Sequence, residues 1–129
     1  MATKTLIKKM IEKYSTKQYV TKTRERIYPK IEWTLWGNDA PAATQPGGFR
    51  FNFDGKFLKS LTPTEAKVLA LHEIAHYNTL LGQGASFQHG DPMHELAFYG
   101  LFQKEGISYS KVNSTLRSIA KKWKDTKMG

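Results

Sequence analysis

Apolar residues recur at spacings of three and four over residues 4–14, where Leu6, Ile7, Met10, Ile11 and Tyr14 are interleaved with Lys8, Lys9 and Lys13, and this period predicts a short amphipathic helix. Residues 15–30 are polar and basic without a settled period, and Pro29 argues against a helix through them. Ile31 to Trp36 alternates, with Ile31, Trp33 and Leu35 on one side and Glu32, Thr34 and Trp36 on the other, as a strand does. Residues 37–48 are dense in turn formers and predict a loop. Phe49 to Phe53 alternates again, with three phenylalanines on one face, and Asp54-Gly55 predicts a turn.

The strongest local signal is Thr62-Pro63-Thr64-Glu65. Thr62 is an N-cap, Pro63 suits the first helical position and Glu65 completes a capping box, so a helix is expected from Pro63 to about Leu81, ended by Gly82. A loop over 82–90 follows. Asp91-Pro92 then opens a helix carrying Met93, Leu96, Ala97, Leu101 and Phe102 to near Gly106. Ser108 or Ser110 caps a last helix whose apolar stripe is Val112, Leu116, Ile119, Ala120 and Trp123, with Lys121, Lys122, Lys124 and Lys127 crowding its end. The order of elements predicts a single α+β domain, residues 1–129, with a small sheet and flanking helices.

Composition narrows the function classes. No apolar run approaches the roughly 20 residues of a membrane span, and the first ten residues are broken by Lys4, Lys8 and Lys9, unlike a secretory signal. The absence of cysteine excludes a disulfide scaffold, a thiolate metal site and a cysteine nucleophile, and fits an intracellular, cytoplasmic location. The net charge of +9 is unevenly spread: residues 1–30 carry +7, residues 31–103 carry −3 and residues 104–129 carry +5. A slightly acidic middle between basic ends suits a polyanion such as nucleic acid, with solvated helix faces as the plainer explanation.

The candidate chemistry lies in the capped helix, at His72-Glu73-Ile74-Ala75-His76. Histidines four apart share a helix face, and their imidazole nitrogens can reach one tetrahedral ion at about 2.0–2.1 Å. Glu73 is rotated from that face and suits a general base that takes a proton from metal-bound water. Nitrogen ligands and hydrolytic chemistry make zinc the expected ion. All four histidines, the other two being His89 and His94, fall within 23 positions. The metzincin spacing is excluded, because Thr79 and Gly82 stand where that class has glycine and histidine. A catalytic zinc needs a third protein ligand, and three candidates remain open: His89, Glu95 and His94.

His72-Glu73-Ile74-Ala75-His76, a loop, then His89-Gly90 before a helix resembles the SprT-like metallopeptidases, which include Spartan. The likeness spans about residues 30–103, including two strands with a glycine-containing loop ahead of the zinc helix, and leaves 1–29 and 104–129 as basic helical extensions. The chain departs from the family at Met93, where an aromatic is usual, in a short loop between His76 and His89, and in lacking a cysteine-rich ribbon. The resemblance implies a zincin-like fold, His72, His76 and His89 as zinc ligands, Glu73 as general base, and a protein or peptide substrate on or near DNA. Glu95-Leu96-Ala97 is similar instead to ImmA/IrrE-like peptidases, in which Glu95 would be the third ligand.

Around that centre, the strand Gly48 to Asp54 is expected to lie beside an extended substrate, or simply to fill the core. Tyr77 and Tyr99 are candidates to polarise a substrate carbonyl, with packing as the plainer role. Trp33, Trp36 and the phenylalanines read as core before they read as a base-stacking platform. Lys8, Lys9, Lys13, Lys121, Lys122 and Lys124 are candidates for salt-sensitive phosphate contacts. The expected activity is zinc-dependent peptide hydrolysis. The alternatives are a nucleic-acid-binding or partner-binding protein with a structural or vestigial zinc site, and a small interaction protein.

Overall fold

A computed structural model describes residues 3–15, 19–20, 22–24, 26–34, 41–45, 50–81 and 99–128. Helix α1 (Thr3–Tyr14) turns Ile7, Met10, Ile11 and Tyr14 inward, as its three-and-four period requires. Two short strands, β1 (Tyr19–Val20) and β2 (Arg26–Ile27), pair antiparallel within the basic segment that has no periodic signal. A three-stranded sheet follows: β3 (Lys30–Glu32), β4 (Ala42–Gln45) and β5 (Arg50–Phe53). Their order is β3-β5-β4, with β5 parallel to β3 and antiparallel to β4.

Strand β4 corrects the expectation of a continuous loop over 37–48. Its Ala-Ala-Thr-Gln sequence carries little β propensity. The strand forms because its backbone completes the ladder along β5, with Ala42 opposite Phe53 and Thr44 opposite Phe51. The predicted strand over 31–36 begins one residue earlier and pairs through Glu32, with Thr34 bridged to Asp54; Leu35 and Trp36 lie outside the described residues.

Asp54 ends β5 and starts the 3-10 helix Phe57–Ser60, its Oδ1 accepting from the amides of Lys56 and Phe57, 3.1 Å each. The turn expected at Asp54-Gly55 requires its glycine: a Cβ at Gly55 would sit 2.8 Å from the Trp33 carbonyl oxygen, which accepts from the Gly55 amide at 3.0 Å. Helix α2 (Pro63–Leu81) has the predicted bounds. Its capping box is formed at both ends, Thr62 N to Glu65 Oε1 at 2.8 Å and Glu65 N to Thr62 Oγ1 at 3.2 Å.

The helix predicted from Asp91 enters the described residues at 99, where α3 (99–104) supplies the buried Leu101 and Phe102. It ends as expected at Gly106, whose φ of +72° favours glycine. The amides of Gly106 and Ile107 donate to the carbonyls of Gln103 and Phe102, each at 3.0 Å, satisfying two of its terminal oxygens. Ser108 rather than Ser110 caps α4 (Tyr109–Met128), its Oγ accepting from Lys111 N at 3.3 Å. Val112 and Ile119 of its apolar stripe are buried and Leu116 and Trp123 pack at the core's border, but Ala120 is exposed. The buried place on α4 belongs to Thr115, which lies one turn before Ile119.

The core is one cluster. Phe51 and Phe53 from the sheet, Val68, Leu71, Ile74 and Ala75 from α2, Ile7 and Ile11 from α1 and Val112 from α4 all meet in it. The terminal helices are therefore part of the core as well as carriers of basic charge. Glu105, in the turn after α3, ties that turn to α1 and α2: it accepts from the Tyr14 hydroxyl, and its carboxylate pairs with Lys13 and Lys67 at 3.2 Å each. The Tyr14 bond and the two lysines hold that carboxyl below its ordinary range against the opposing effect of burial. Asn78 Nδ2 donates to the Tyr14 carbonyl at 3.1 Å, closing the end of α1 onto α2. No helix among the described residues is long and apolar enough to cross a membrane.

Candidate metal centre

The sheet is seated on α2 through Phe51 and Tyr77, whose rings lie 4.8 Å apart and tilted by 31°. Both are fully buried. Thr44, directly across the ladder from Phe51, shares its face and therefore also points at α2. It meets Glu73, one turn before Tyr77. Thr44 Oγ1 lies 2.5 Å from Glu73 Oε2 and 3.3 Å from the Glu73 carbonyl oxygen, so its single proton goes to the carboxylate.

Glu73 is only 8% exposed. Burial pushes its carboxyl up to about 7, and the Thr44 hydrogen bond opposes that shift without cancelling it. Such a group is divided between its acid and base forms at neutral pH, the condition under which one carboxyl both accepts and returns a proton most readily.

His72 and His76 stand one turn apart and half-buried. Their rings are 4.7 Å apart at 73°, and their Nε2 atoms converge to 3.2 Å. Two nitrogens at 2.0–2.1 Å from one tetrahedral ion are separated by about 3.3–3.4 Å, so the pair is already spaced for two positions of a single coordination sphere. The same 3.2 Å suits an imidazole-to-imidazole hydrogen bond. Among the described residues no third His, Asp or Glu joins them. His89, His94 and Glu95 all lie outside the described residues, as does Gly82.

Three alternatives around the site are decided in favour of the plainer role. The strand expected beside a substrate, Gly48 to Asp54, contains β5, which is paired on both sides by β3 and β4 and has no free backbone edge. The edge of the sheet next to Glu73 is β4. Tyr77 is removed from carbonyl polarisation: it is fully buried against Phe51, and burial pushes its phenol up to about 12. Tyr99 stacks on Tyr109 at 4.6 Å, a packing role.

Thr44 is the site residue that the chain's local pattern did not reveal. Its signal was Pro46-Gly47-Gly48 between Ala-Ala-Thr-Gln and the phenylalanine strand, which is the composition of a hairpin as much as of a loop.

The candidate phosphate contacts separate into two groups. Lys8, Lys9, Lys121 and Lys124 are exposed. Lys13 is paired with Glu105. Lys122 Nζ donates to Glu65 Oε1 at 2.5 Å and to the Ser60 carbonyl at 3.0 Å, which withdraws it from that set. No protein-family model, curated protein or solved structure matches the chain.

Proposed function

We propose that the chain is a zinc-dependent metallopeptidase of zincin-like architecture that acts on protein substrates on or near DNA. The observation that carries this reading is the 3.2 Å convergence of His72 and His76 Nε2 on the helix that also holds the buried Glu73. These residues fit a zinc ion: both donors are imidazole nitrogens, their separation matches a tetrahedral pair, and the helix that holds them is anchored by the core. The third ligand comes from His89, the preferred candidate, or from Glu95 or His94. Zinc bound there supplies Lewis-acid polarisation of a scissile carbonyl and activation of water.

The chain's own residues do the rest. Thr44 holds Glu73 Oε2, which leaves Oε1 to accept the proton of the attacking water and deliver it to the leaving amine. Strand β4 lies at the edge of the sheet and is bonded to Glu73 through Thr44; in this reading it aligns an extended peptide by backbone hydrogen bonds. The exposed lysines of α1 and α4 supply sequence-independent attraction to a polyanion.

Metal analysis of purified protein tests the centre, with wild type beside His72→Ala, His89→Ala and Glu95→Ala. One zinc per chain in wild type, lost in His72→Ala and in one of the other two, supports it and identifies the third ligand. A metal-free wild type purified with ample zinc makes the 3.2 Å contact an imidazole hydrogen bond and ends the reading. Cleavage of a denatured protein substrate, with and without oligonucleotide, then separates an enzyme from a protein that uses zinc structurally.

A further inference from the structure

A cleft of about 400 Å³ lies where the start of α2 meets one face of α4. Thr64 and Glu65 line it from α2; Lys111, Thr115, Ser118 and Lys122 line it from α4, where spacings of four, three and four place them on one side of the helix. Thr115 stands out among them. It is 5% exposed, yet its hydroxyl has no hydrogen-bond partner among the described residues. A buried hydroxyl without a partner costs free energy that a methyl in its place would not. The Lys111 amine likewise has no ion pair among the described residues. In the first turn of α2, the amides of Thr62 and Glu65 are taken by the capping box and Pro63 has none, which leaves the amide of Thr64 as a donor.

We propose that this cleft binds hydrogen phosphate, held by the Lys111 amine, the Thr115 hydroxyl and the Thr64 amide, with the anion's own proton donated to Glu65. The charges allow it. Lys122 neutralises Glu65, so Lys111 and the positive end of the α2 dipole leave the cleft positive. The carboxylate then acts as a selector. A carboxylate has about four acceptor positions. Lys122 Nζ at 2.5 Å and the Thr62 amide at 2.8 Å fill both on Oε1, and the Ser118 hydroxyl at 2.7 Å fills one on Oε2. The position left on Oε2 requires a donor. Phosphate keeps a proton at neutral pH and supplies that donor. Sulfate and the phosphodiesters of nucleic acid carry no such proton and meet only repulsion there. The site is therefore one for free phosphate, separate from the general attraction of the exposed lysines to a polyanion. It uses no residue of the metal centre and is independent of whether the chain cleaves peptides.

The test is a calorimetric titration of the whole zinc-loaded protein with sodium phosphate at neutral pH, beside sodium sulfate at equal ionic strength. Wild type is expected to bind phosphate, and to bind sulfate on the order of tenfold more weakly. Thr115→Val, which exchanges the hydroxyl for a methyl of similar size, is expected to lose phosphate affinity by on the order of tenfold. Its melting temperature in phosphate-free chloride buffer should equal or exceed that of wild type, whereas loss of a hydroxyl that serves the fold alone would lower it. Lys111→Gln, an exposed change, is expected to weaken binding by a similar factor. His72→Ala should bind phosphate as wild type does; loss of binding there places the anion on the zinc and overturns the site. Wild-type affinity in Thr115→Val, equal binding of sulfate, displacement of phosphate by an oligonucleotide, or phosphate that behaves as chloride does also overturns it, and each leaves the metal centre and the reading of peptide cleavage as they stand.

Discussion

Glu65 and Glu73 lie two turns apart on the same helix, and both are nearly buried, 5% and 8% exposed. Their carboxyls are driven in opposite directions. For Glu65, burial alone would raise the carboxyl, but Lys122, the Thr62 amide and Ser118 outweigh it and hold it at about 2. For Glu73 burial wins, because the only donor facing it among the described residues is one hydroxyl, Thr44, and the carboxyl rises to about 7. Similar surface exposure thus accompanies a permanent anion at one site and a proton-exchanging acid at the other. The difference is the deeper burial of the Glu73 carboxyl together with the number and charge of donors that the rest of the fold brings up. Glu65 serves as a fastener between α2 and α4. Glu73 is kept under-satisfied beside the imidazole pair, as a general base must be.

The sharpest break of that contrast is Glu73→Gln. In the zinc-loaded protein, peptide cleavage is expected to fall by about 10²–10⁴-fold with zinc content unchanged. Retained turnover, measured at matched zinc occupancy, would remove Glu73 from the mechanism. Next in size is Glu65→Ala, which strands Lys122 and opens the α2 cap. We expect a loss of about 2–3 kcal/mol at neutral pH, read from urea midpoints. The Glu65 contribution is complete above about pH 4.5, the carboxyl's ordinary value, and disappears as pH falls toward 2, so the wild-type advantage should close over that range.

Glu73 has the opposite sign. Its raised carboxyl is an ionisation penalty that is absent below pH 4.5 and complete above about pH 7. In chelator-treated protein, Glu73→Gln is therefore expected to be more stable than wild type at pH 8 by on the order of 1–3 kcal/mol, and equal to it near pH 4.5. Equal melting temperatures at both pH values would show that Glu73 is as well satisfied as Glu65. The smallest effect belongs to Thr44. Removing its donor in Thr44→Val should move the acid limb of the pH–rate profile upward by roughly one unit, and Thr44→Ser should restore it. An unmoved limb in Thr44→Val assigns Thr44 to packing alone.

Helix α2 was legible along the chain because its signals are local. A cap, a proline at the first turn and a glutamate three residues after the cap act within one turn, and histidines four apart share a face in any α-helix. The phenylalanine strand was legible for the same reason, since its period of two is a backbone property. Strand β4 was not, because Ala-Ala-Thr-Gln gains its structure from hydrogen bonds to β5 and has no pattern of its own. Packing was the plainer role of Tyr77 along the chain, but its complete burial was not legible, since it follows from Phe51 stacking against it.

By itself, then, the sequence determined the two imidazoles on one helical face, the limits of the helix that carries them, and the excess of positive charge at both ends. Tertiary structure decided the chemistry of the carboxylates between and beside them. The partner of Glu65 arrives from 57 residues away and that of Glu73 from 29 residues before it. A pKa is set by donors within a few ångströms regardless of their place in the chain, so whether a glutamate fastens or reacts is settled only when distant segments close around it.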